Sequence, residues 1–253
     1  MAIFPTAYFP CISYVARLLA DDAPVIEIFD TYHKQTYRNR CHVMTANGVQ
    51  MLSVPVKQVN GNHTMTKDMV ISTVEPWQQI HRRCLESAYM SSPYFEHYYS
   101  YLSPIFEQHF EKLIDLNDAA LKAILKMLKV KKEISYTSDY VKEADDDFRN
   151  VFVKWNPESY MMKVGDGALR LRSVPEETGT LRLRSAAPQS TSFNSAAPQS
   201  TSFNSATPQA TIQKPYYQVF ENKFPFAPDL SVLDLIFNEG PEAMDYINAL
   251  QKM

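Results

Sequence analysis

The fold is decided by the first part of the chain, MAIFPTAYFPCISYVARLLADDAPVIEIFD (residues 1–30). Ala2–Phe4 is a short apolar run stopped by Pro5, and Val25–Phe29 is a β-branched and aromatic run typical of a strand covered on both faces. The segment between them carries aliphatic residues on one helical face: Ile12, Val15, Leu18 and Leu19. The pattern predicts a strand–helix–strand unit with two parallel strands.

A hairpin is predicted next. Cys41–Ala46 and Val49–Val56 flank Asn47-Gly48, a pair that tolerates positive φ in a two-residue turn. A short strand at Met69–Thr73 follows, and then helices that open near Trp77, Ser92 and Asn117. The expected class is α/β, with a mixed sheet made of the βαβ unit and the hairpin and with helices packed on it.

A low-complexity insert divides the chain. One pentapeptide occurs at Leu169–Ser173 and Leu181–Ser185, and one decapeptide occurs at Ser185–Asn194 and Ser195–Asn204. Repeats of this length cannot bury a hydrophobic face, so they predict a disordered tether rather than a solenoid; a docking tail is the alternative. We therefore expect an α/β body at 1–165, the disordered insert at 166–212, and a C-terminal segment at 213–253.

The C-terminal segment is predicted to fold as strand, helix, helix. Tyr216–Phe220 has a strand composition, Ser231 and Asp234 form a capping pattern, and Gly240 ends the first helix. Its many apolar residues need a partner surface, and the body is the large surface available for packing.

Composition restricts the partners. A formal net charge of -3 provides no global field for nucleic acid or an anionic membrane, so any anion site is local. Cys11, Cys41 and Cys84 lack a disulfide framework and are interpreted as buried thiols in a reducing compartment, with a catalytic nucleophile as the alternative. Without a signal peptide or a membrane-length apolar run, we expect a cytoplasmic protein.

The familiar catalytic motifs are missing from the sequence. The six glycines form no phosphate-binding loop and no dinucleotide fingerprint. The chain also lacks His-Glu-x-x-His, Cys-x-x-Cys and Gly-x-Ser-x-Gly patterns. The sequence therefore predicts no metal site and indicates no particular cofactor.

A cationic segment follows the second strand. In an extended chain Lys34, Thr36, Arg38, Arg40 and His42 would share one face because side chains alternate. Such a face is suited to a phosphate or carboxylate, with Asn39 between the two arginines. A solvated basic surface is the alternative interpretation.

Three further residues are candidate catalytic groups. Glu27 lies inside an apolar strand, where a carboxylate is either paired with a nearby cation or functional. Asp30 stands at the end of that strand, where α/β sheets bind ligands. His81, on the helix opened by Trp77, is a candidate general base or a packed histidine. Tyr8 points into the same crevice or is simply packed.

Eight motifs together resemble the WbqC-like family, and they cover nearly all of the chain outside the insert. They are Tyr8-x-Pro10, an acidic residue at the second strand, Lys34-Gln35-x-x-Arg38-Asn39-Arg40, Leu52–Val56, Trp77–His81, Ser92–Phe95, Tyr217–Phe220 and Leu230–Gly240. One departure stands out, since Pro5 and Thr6 occupy the positions where the family often has a polar amide and a proline.

The resemblance implies a bacterial protein linked to O-antigen or other surface-polysaccharide synthesis, with an amino-acid (glycine) transferase role. The first hypothesis is thus a transferase that places an acyl or aminoacyl group on an amino sugar, with Lys34, Arg38, Asn39, Arg40 and Tyr8 binding a nucleotide-sugar or another small anion. The base would be Glu27, Asp30 or His81. The alternatives are a nucleotide-sugar-binding or accessory protein that works beside partner enzymes, and an adenylate-forming or nucleotidyl-transferring enzyme.

Overall fold

The computed structural model of the protein describes residues 1–152 and 214–251. The predicted tether at 166–212 lies outside the described residues. β1 (Ala2–Pro5), α1 (Ile12–Ala20) and β2 (Val25–Glu27) follow one another at the start of the chain. β1 and β2 pair in parallel with Phe4 opposite Ile26, so the βαβ prediction is confirmed.

β1 and β2 form the centre of a four-stranded sheet. Its order is β7-β2-β1-β8, where β7 is Ser135–Tyr136 and β8 is Asp146–Asp147. All three pairings are parallel. The loops that leave β1 and β2 therefore emerge at the same edge of the sheet, which is where α/β proteins place their ligands.

The predicted hairpin is present, with its turn shifted by one residue. β3 (Arg40–Thr45) and β4 (Gly48–Ser53) pair antiparallel, and Thr45 lies opposite Gly48. The turn thus contains Ala46 and Asn47, and the positive φ of 96° falls on Gly48. The hairpin is therefore closed by the two-residue loop Ala46-Asn47, and its register is unbroken from the Thr45–Gly48 pair to the Arg40–Ser53 pair.

The hairpin forms a sheet of its own and does not join the parallel sheet. A third small sheet pairs β5 (Val56–Lys57) with β6 (Val70–Ile71), and β6 lies within the strand predicted at 69–73. The α/β class is confirmed. The parallel pairings lie in the four-stranded sheet, and the antiparallel pairings lie in the two smaller sheets.

Three helices follow and supply much of the core. They are α2 (Trp77–Tyr89), α3 (Phe95–Glu107) and α4 (Leu113–Met127), and single 3-10 turns lie at 61–63 and 66–68. α4 begins at Leu113 rather than at the predicted Asn117, which places Asn117 inside the helix. The buried faces of α1 to α4 belong to one continuous hydrophobic cluster with β1 and the hairpin.

The C-terminal helices are α5 (Val232–Glu239) and α6 (Ala243–Gln251), joined by a 3-10 turn at 240–242. Ser231 caps α5 by accepting a hydrogen bond from the backbone N–H of Leu233, and α5 ends at Gly240, which has a φ of 57°. Both features agree with the sequence patterns that predicted them.

The start of α5 is held against the loop that follows β1. The backbone N–H of Val232 donates to the carbonyl of Pro10 at 2.9 Å, and that of Ser231 donates to the carbonyl of His42 at 2.8 Å. Leu230, Leu233 and Ile236 are fully buried. The C-terminal segment therefore supports the loop that carries Tyr8.

The strand predicted at Tyr216–Phe220 is not formed. The segment is irregular and ends in a turn, and it is held by hydrogen bonds of its side chains. Gln218 exchanges two hydrogen bonds of 3.0 Å with the backbone of Ala227, and Tyr216 donates to the buried carboxylate of Asp234 at 2.6 Å. Side-chain bonding thus replaces a backbone ladder at this position.

Candidate functional site

Polar side chains gather where β1 and β2 end. Thr6 and Tyr8 follow β1, and Asp30 follows β2. All three are buried, and the backbone N–H of Tyr8 donates to the carbonyl of Tyr37 at 2.9 Å. The sheet edge therefore brings the two loops and the segment 36–40 into one polar cluster.

Asp30 and Arg38 form a buried ion pair at this edge. The Asp30 carboxylate also accepts a hydrogen bond from the hydroxyl of Thr66, so both of its oxygens are engaged. Arg38 is 2% exposed, and its charge is compensated by Asp30. A buried pair of this kind fixes the loop that follows β2. It also neutralises the charge that the sequence pattern assigns to anion binding.

Asn117 joins the cluster from α4. Its Nδ2 donates to Thr6 Oγ1 at 3.0 Å and to the Arg38 carbonyl at 2.8 Å. No local sequence pattern selects Asn117, because a single asparagine in an amphipathic helix is usually a surface residue. Thr6 is one of the two residues at which the chain departs from the pattern of the WbqC-like family, and its hydroxyl accepts this hydrogen bond from Asn117.

Asn39 connects the cluster to the hairpin. Its Nδ2 donates to the Val54 carbonyl at 2.8 Å, and its own carbonyl accepts from the Val54 N–H at 2.8 Å. The Asn39 amide also lies 3.5 Å from Ser53 Oγ. The end of β4 is thereby fixed beside the loop that follows β2.

Four buried polar atoms in this cluster have no hydrogen-bond partner within the described residues. Two are donors, the Nε groups of Arg38 and Arg40, and two are acceptors, the Oδ1 atoms of Asn39 and Asn117. An unpaired buried donor or acceptor costs about 1–3 kcal/mol, so native proteins keep few of them. Their concentration in three consecutive residues and one facing helix is typical of a site that a polar ligand completes.

Tyr8 and His81 form a second buried pair. Their Oη and Nδ1 atoms lie 2.9 Å apart, and the backbone of Ser53 also interacts with the imidazole. In the tautomer with its proton on Nε2, His81 accepts from the Tyr8 hydroxyl through Nδ1. Burial lowers the pKa of His81 to about 4, although the bond to Ser53 opposes that shift.

Tyr8 is closed off from solvent. Its exposed fraction is 0%, and burial raises the pKa of its hydroxyl well above the ordinary value of 10.0. The ring of Trp77 contacts both members of the pair edge-on, with centroids 5.3 Å from His81 and 6.2 Å from Tyr8. At neutral pH the pair is therefore a neutral imidazole that accepts from a neutral phenol.

The common cationic face predicted for residues 34–42 is wrong. The chain turns at Gln35, whose φ is 61°, and only Arg40 and His42 belong to a strand. Lys34 is exposed, whereas Arg38 and Asn39 are buried. The alternation rule applies to extended chain, and this loop is not extended; a role of these residues in binding stays a prediction.

Arg40, like the exposed Lys34, keeps its charge uncompensated. Within residues 1–152 and 214–251 no carboxylate lies within ion-pair distance of either side chain. Burial lowers the pKa of His42 to about 4, and the charge of Arg40 adds to this shift. Burial raises the pKa of Tyr32 to about 12, and the charge of Arg40 opposes that shift. Arg40 is half-buried, so its guanidinium is the accessible positive charge beside the unpartnered atoms.

Glu27 lies apart from this cluster. Its carboxylate accepts from Thr137 Oγ1 and the Phe29 N–H at 2.8 Å each, and from the Val141 N–H at 3.1 Å. The cation beside it is Arg149, with Nη1 3.6 Å from Oε2, and not a residue of the segment 34–40. With every one of these partners in place, Glu27 anchors the chain around β7 and β8.

The described part of the chain contains no group of three His, Cys, Asp or Glu side chains that could hold a metal ion. None of the helices described above has the length and apolarity needed to cross a bilayer. Cys11 and Cys41 are buried free thiols, and Cys84 is half-buried.

Comparison with known proteins covers nearly the whole chain. The profile of the WbqC-like protein family matches residues 6–246, a span that includes the Tyr8–His81 pair, the Arg38–Arg40 segment and Asn117. The chain is 25% identical over 250 residues to Uncharacterized protein Rv1507c of Mycobacterium tuberculosis, which covers 98% of this chain and 96% of that protein. No solved structure matches the chain.

Proposed function

The chain belongs to the WbqC-like protein family, and from that premise we propose that it is an acyl or aminoacyl transferase of the glycine type. Its acceptor is the amine of an amino sugar or nucleotide-sugar used in the synthesis of bacterial surface polysaccharide. The observation that carries the proposal is the group of four unpartnered buried atoms beside a neutral tyrosine–histidine pair. A ligand with both donors and acceptors would satisfy them.

The anionic part of the donor or of the nucleotide-sugar binds at Arg40. Its charge is uncompensated by carboxylates of the described residues, and its Nε still has a hydrogen bond to give. Lys34, exposed on the preceding loop, adds a second positive charge near the entrance. Arg38 contributes mainly the Nε donor, because Asp30 already neutralises its charge. Asn39 Oδ1 and Asn117 Oδ1 accept from hydroxyl or amide groups of the ligand.

The transfer step forms an amide. The amine nitrogen attacks the carbonyl carbon of an activated donor, such as an acyl or aminoacyl thioester, and the bond from that carbon to the leaving group breaks. The amine proton passes to Tyr8 Oη while the Tyr8 proton moves to His81 Nδ1, and the returning proton goes to the leaving group. General-base assistance of this kind contributes about 10²- to 10⁴-fold in rate.

His81 is the better base among the three sequence candidates. The carboxylate of Asp30 is fully engaged by Arg38 and Thr66, and that of Glu27 is engaged by residues around β7 and β8. His81 Nδ1, in contrast, has a neutral hydroxyl, Tyr8 Oη, as its hydrogen-bond partner and no charged partner among the described residues. Glu27 and Asp30 then act by positioning the chain, and Tyr8 and His81 touch the reacting amine.

A binding or accessory protein without turnover is the second candidate. Two features favour it: Tyr8 is 0% exposed, and burial leaves His81 with a pKa of about 4, which makes it a weak base. In that role the same polar cluster recognises a nucleotide-sugar and presents it to a partner enzyme. The two candidates share the ligand site and differ in whether a product forms.

Ligand binding tests both candidates first. Thermal unfolding of the full chain would be followed with nucleotide-sugars, acyl thioesters, ATP and free amino acids, each with and without Mg²⁺. A ligand present at about a hundred times its dissociation constant adds roughly 2.7 kcal/mol to the free energy of unfolding. We expect such a shift with a nucleotide-sugar or a donor and its loss in Arg40→Gln, whereas Arg83→Gln, an exposed arginine on α2, keeps it. An unchanged shift in Arg40→Gln would contradict the anion site.

A further inference from the structure

An open pocket of about 430 Å³ lies at the start of α2 and the end of α3. Trp77 and Phe106 are buried at its base, and Phe110 is half-buried on its wall. Glu75 and Gln79 are exposed at its rim, and Arg82 is partly exposed there. The pocket thus combines buried aromatic side chains with exposed hydrogen-bonding groups.

The volume and the charges of the pocket limit what it can hold. Sites for small molecules span about 300–1,000 Å³, so this pocket is larger than a single phosphate or glycine needs. Its lining carries the guanidinium of Arg82, which pairs with Glu86 at 3.7 Å, together with the carboxylate of Glu75 and the imidazole of His109. A polyphosphate would need an excess of cations, whereas a neutral or singly charged ligand matches this balance.

The arrangement of the groups suits a sugar ring. A pyranose has an apolar face of C–H groups and a circumference of hydroxyls, so it packs one face on an aromatic plane and bonds to polar groups around it. Trp77, Phe106 and Phe110 supply aromatic surface, and Gln79, Glu75 and Arg82 supply donors and acceptors of both kinds.

Trp77 connects the pocket to the candidate catalytic pair. Its side chain lines the pocket and also contacts His81 and Tyr8, with ring centroids 5.3 Å and 6.2 Å away. We infer that this pocket binds the pyranose ring of the amino-sugar acceptor, with Trp77 in contact with both the ring and the Tyr8–His81 pair. The inference rests on the proposed function, because that function supplies the need for a sugar acceptor.

The fluorescence of Trp77 provides a direct test. The chain has two tryptophans, Trp77 and Trp155, so Trp155→Phe leaves Trp77 as the single indole fluorophore. The full-length variant would be titrated with glucosamine, with galactosamine and with a hexosamine linked to uridine diphosphate. A saturable change in Trp77 emission is expected with at least one of them.

Two pocket variants and one control locate the binding. Gln79→Ala and Phe110→Ala, each in the Trp155→Phe background, should weaken binding about fivefold or more. Gln108→Ala, an exposed residue at the end of α3 outside the lining, should leave it unchanged. Gln79 is exposed, so its removal leaves the fold intact even where Phe110→Ala lowers the melting temperature.

The outcomes separate this inference from the proposed function. No saturable change with any of the three probes overturns the inference, and so does binding that both pocket variants leave unaltered. Transfer is followed separately as the mass of the acylated hexosamine. Pocket-dependent binding without any product would overturn the proposed transferase, while product formation at wild-type rates in both pocket variants would place the acceptor elsewhere.

Discussion

Tyr8 Oη and His81 Nδ1 lie 2.9 Å apart in a site that excludes solvent from both rings. The Tyr8 loop leaves β1 at the edge of the parallel sheet, and His81 stands in the second turn of α2. With its proton on Nε2, the imidazole accepts from the tyrosine through Nδ1. A proton can then be passed between these two uncharged side chains.

Removing the Tyr8 hydroxyl should separate catalysis from packing. Tyr8→Phe deprives His81 Nδ1 of its donor and should lower stability by about 1–3 kcal/mol. If Tyr8 passes the amine proton to His81, the transfer rate should also fall by about 10²-fold or more. Melting curves and a product assay measure the two effects.

Tyr14→Phe is the matched control for Tyr8→Phe. Tyr14 is equally buried, and its hydroxyl donates to the Pro5 carbonyl at 2.7 Å. Its loss should lower stability by a similar amount while the transfer rate of the folded protein stays unchanged. Equal rate losses in the two variants would mean that Tyr8 acts only through packing.

Protonation of His81 should make the fold sensitive to mild acid. In the unfolded chain the residue takes up a proton near its ordinary pKa of 6.5, whereas in the folded protein it stays neutral down to about pH 4. The unfolded state therefore binds more protons in this range, and the free energy of unfolding falls as the pH drops from 6.5 to 4, by roughly 3 kcal/mol.

A difference measurement isolates the contribution of His81, because His42 has its pKa lowered in the same direction. Chemical denaturation of the wild type and of His81→Gln between pH 7.5 and pH 4 gives two stability profiles. The wild type should lose more stability than the variant over this window. Parallel profiles would mean that His81 titrates at its ordinary value in the folded protein.

Glu27 and Arg149 should behave as a structural pair. Glu27→Gln weakens the bonds to Thr137 and Val141, while Arg149 keeps its closer partner Asp147 at 2.6 Å, so a loss of about 1–3 kcal/mol is expected. Asp118→Asn removes the surface pair with Lys122, whose side chain is 68% exposed, and should cost under about 1 kcal/mol. Equal losses in urea denaturation would contradict the buried role of Glu27.

Two glycines with similar positive φ values separate the cost of a strained backbone from the cost of a steric clash. Gly61 and Gly240 have φ values of 56° and 57°, but only at Gly240 would a Cβ meet other atoms, at 2.5 Å from Tyr94 Cγ. Gly61→Ala should therefore cost the backbone term of about 1–2 kcal/mol. Gly240→Ala should cost about 1–3 kcal/mol more, because Tyr94 has to move. Melting temperatures that fall equally would contradict the close packing of Tyr94 on Gly240.

The sequence predicts the elements better than it predicts their partners. Apolar runs and their stops place β1, α1 and β2, because these patterns are local consequences of burial. The cationic segment is misjudged since one residue with positive φ, Gln35, turns the chain and breaks the alternation on which the prediction rests. Whether a residue adopts such a conformation is decided by the surrounding fold.

Long-range partners account for the remaining differences. For Glu27 the sequence leaves open a pairing with a nearby cation or a functional role; parallel pairing of β7 with β2 and of β8 with β1 brings Arg149 to it. Asn117 reaches the site because α4 packs across the sheet edge, and no local pattern marks it. The strand expected at Tyr216–Phe220 is replaced by side-chain bonds to Asp234 and Ala227. The contacts of Glu27 and Asn117 join residues far apart in the chain, whereas those of Tyr216 and Gln218 span 18 and 9 residues.

The most direct test of the central claim is the mass of the acceptor after reaction. The protein would be incubated with a hexosamine, free or linked to uridine diphosphate, and with glycyl or acyl thioesters, and the products would be analysed by mass spectrometry. We predict an amide-linked product that depends on Tyr8 and Arg40 and that persists in Tyr14→Phe and Arg83→Gln. Binding of the same ligands with no product from any donor would contradict the transferase and leave a nucleotide-sugar-binding protein.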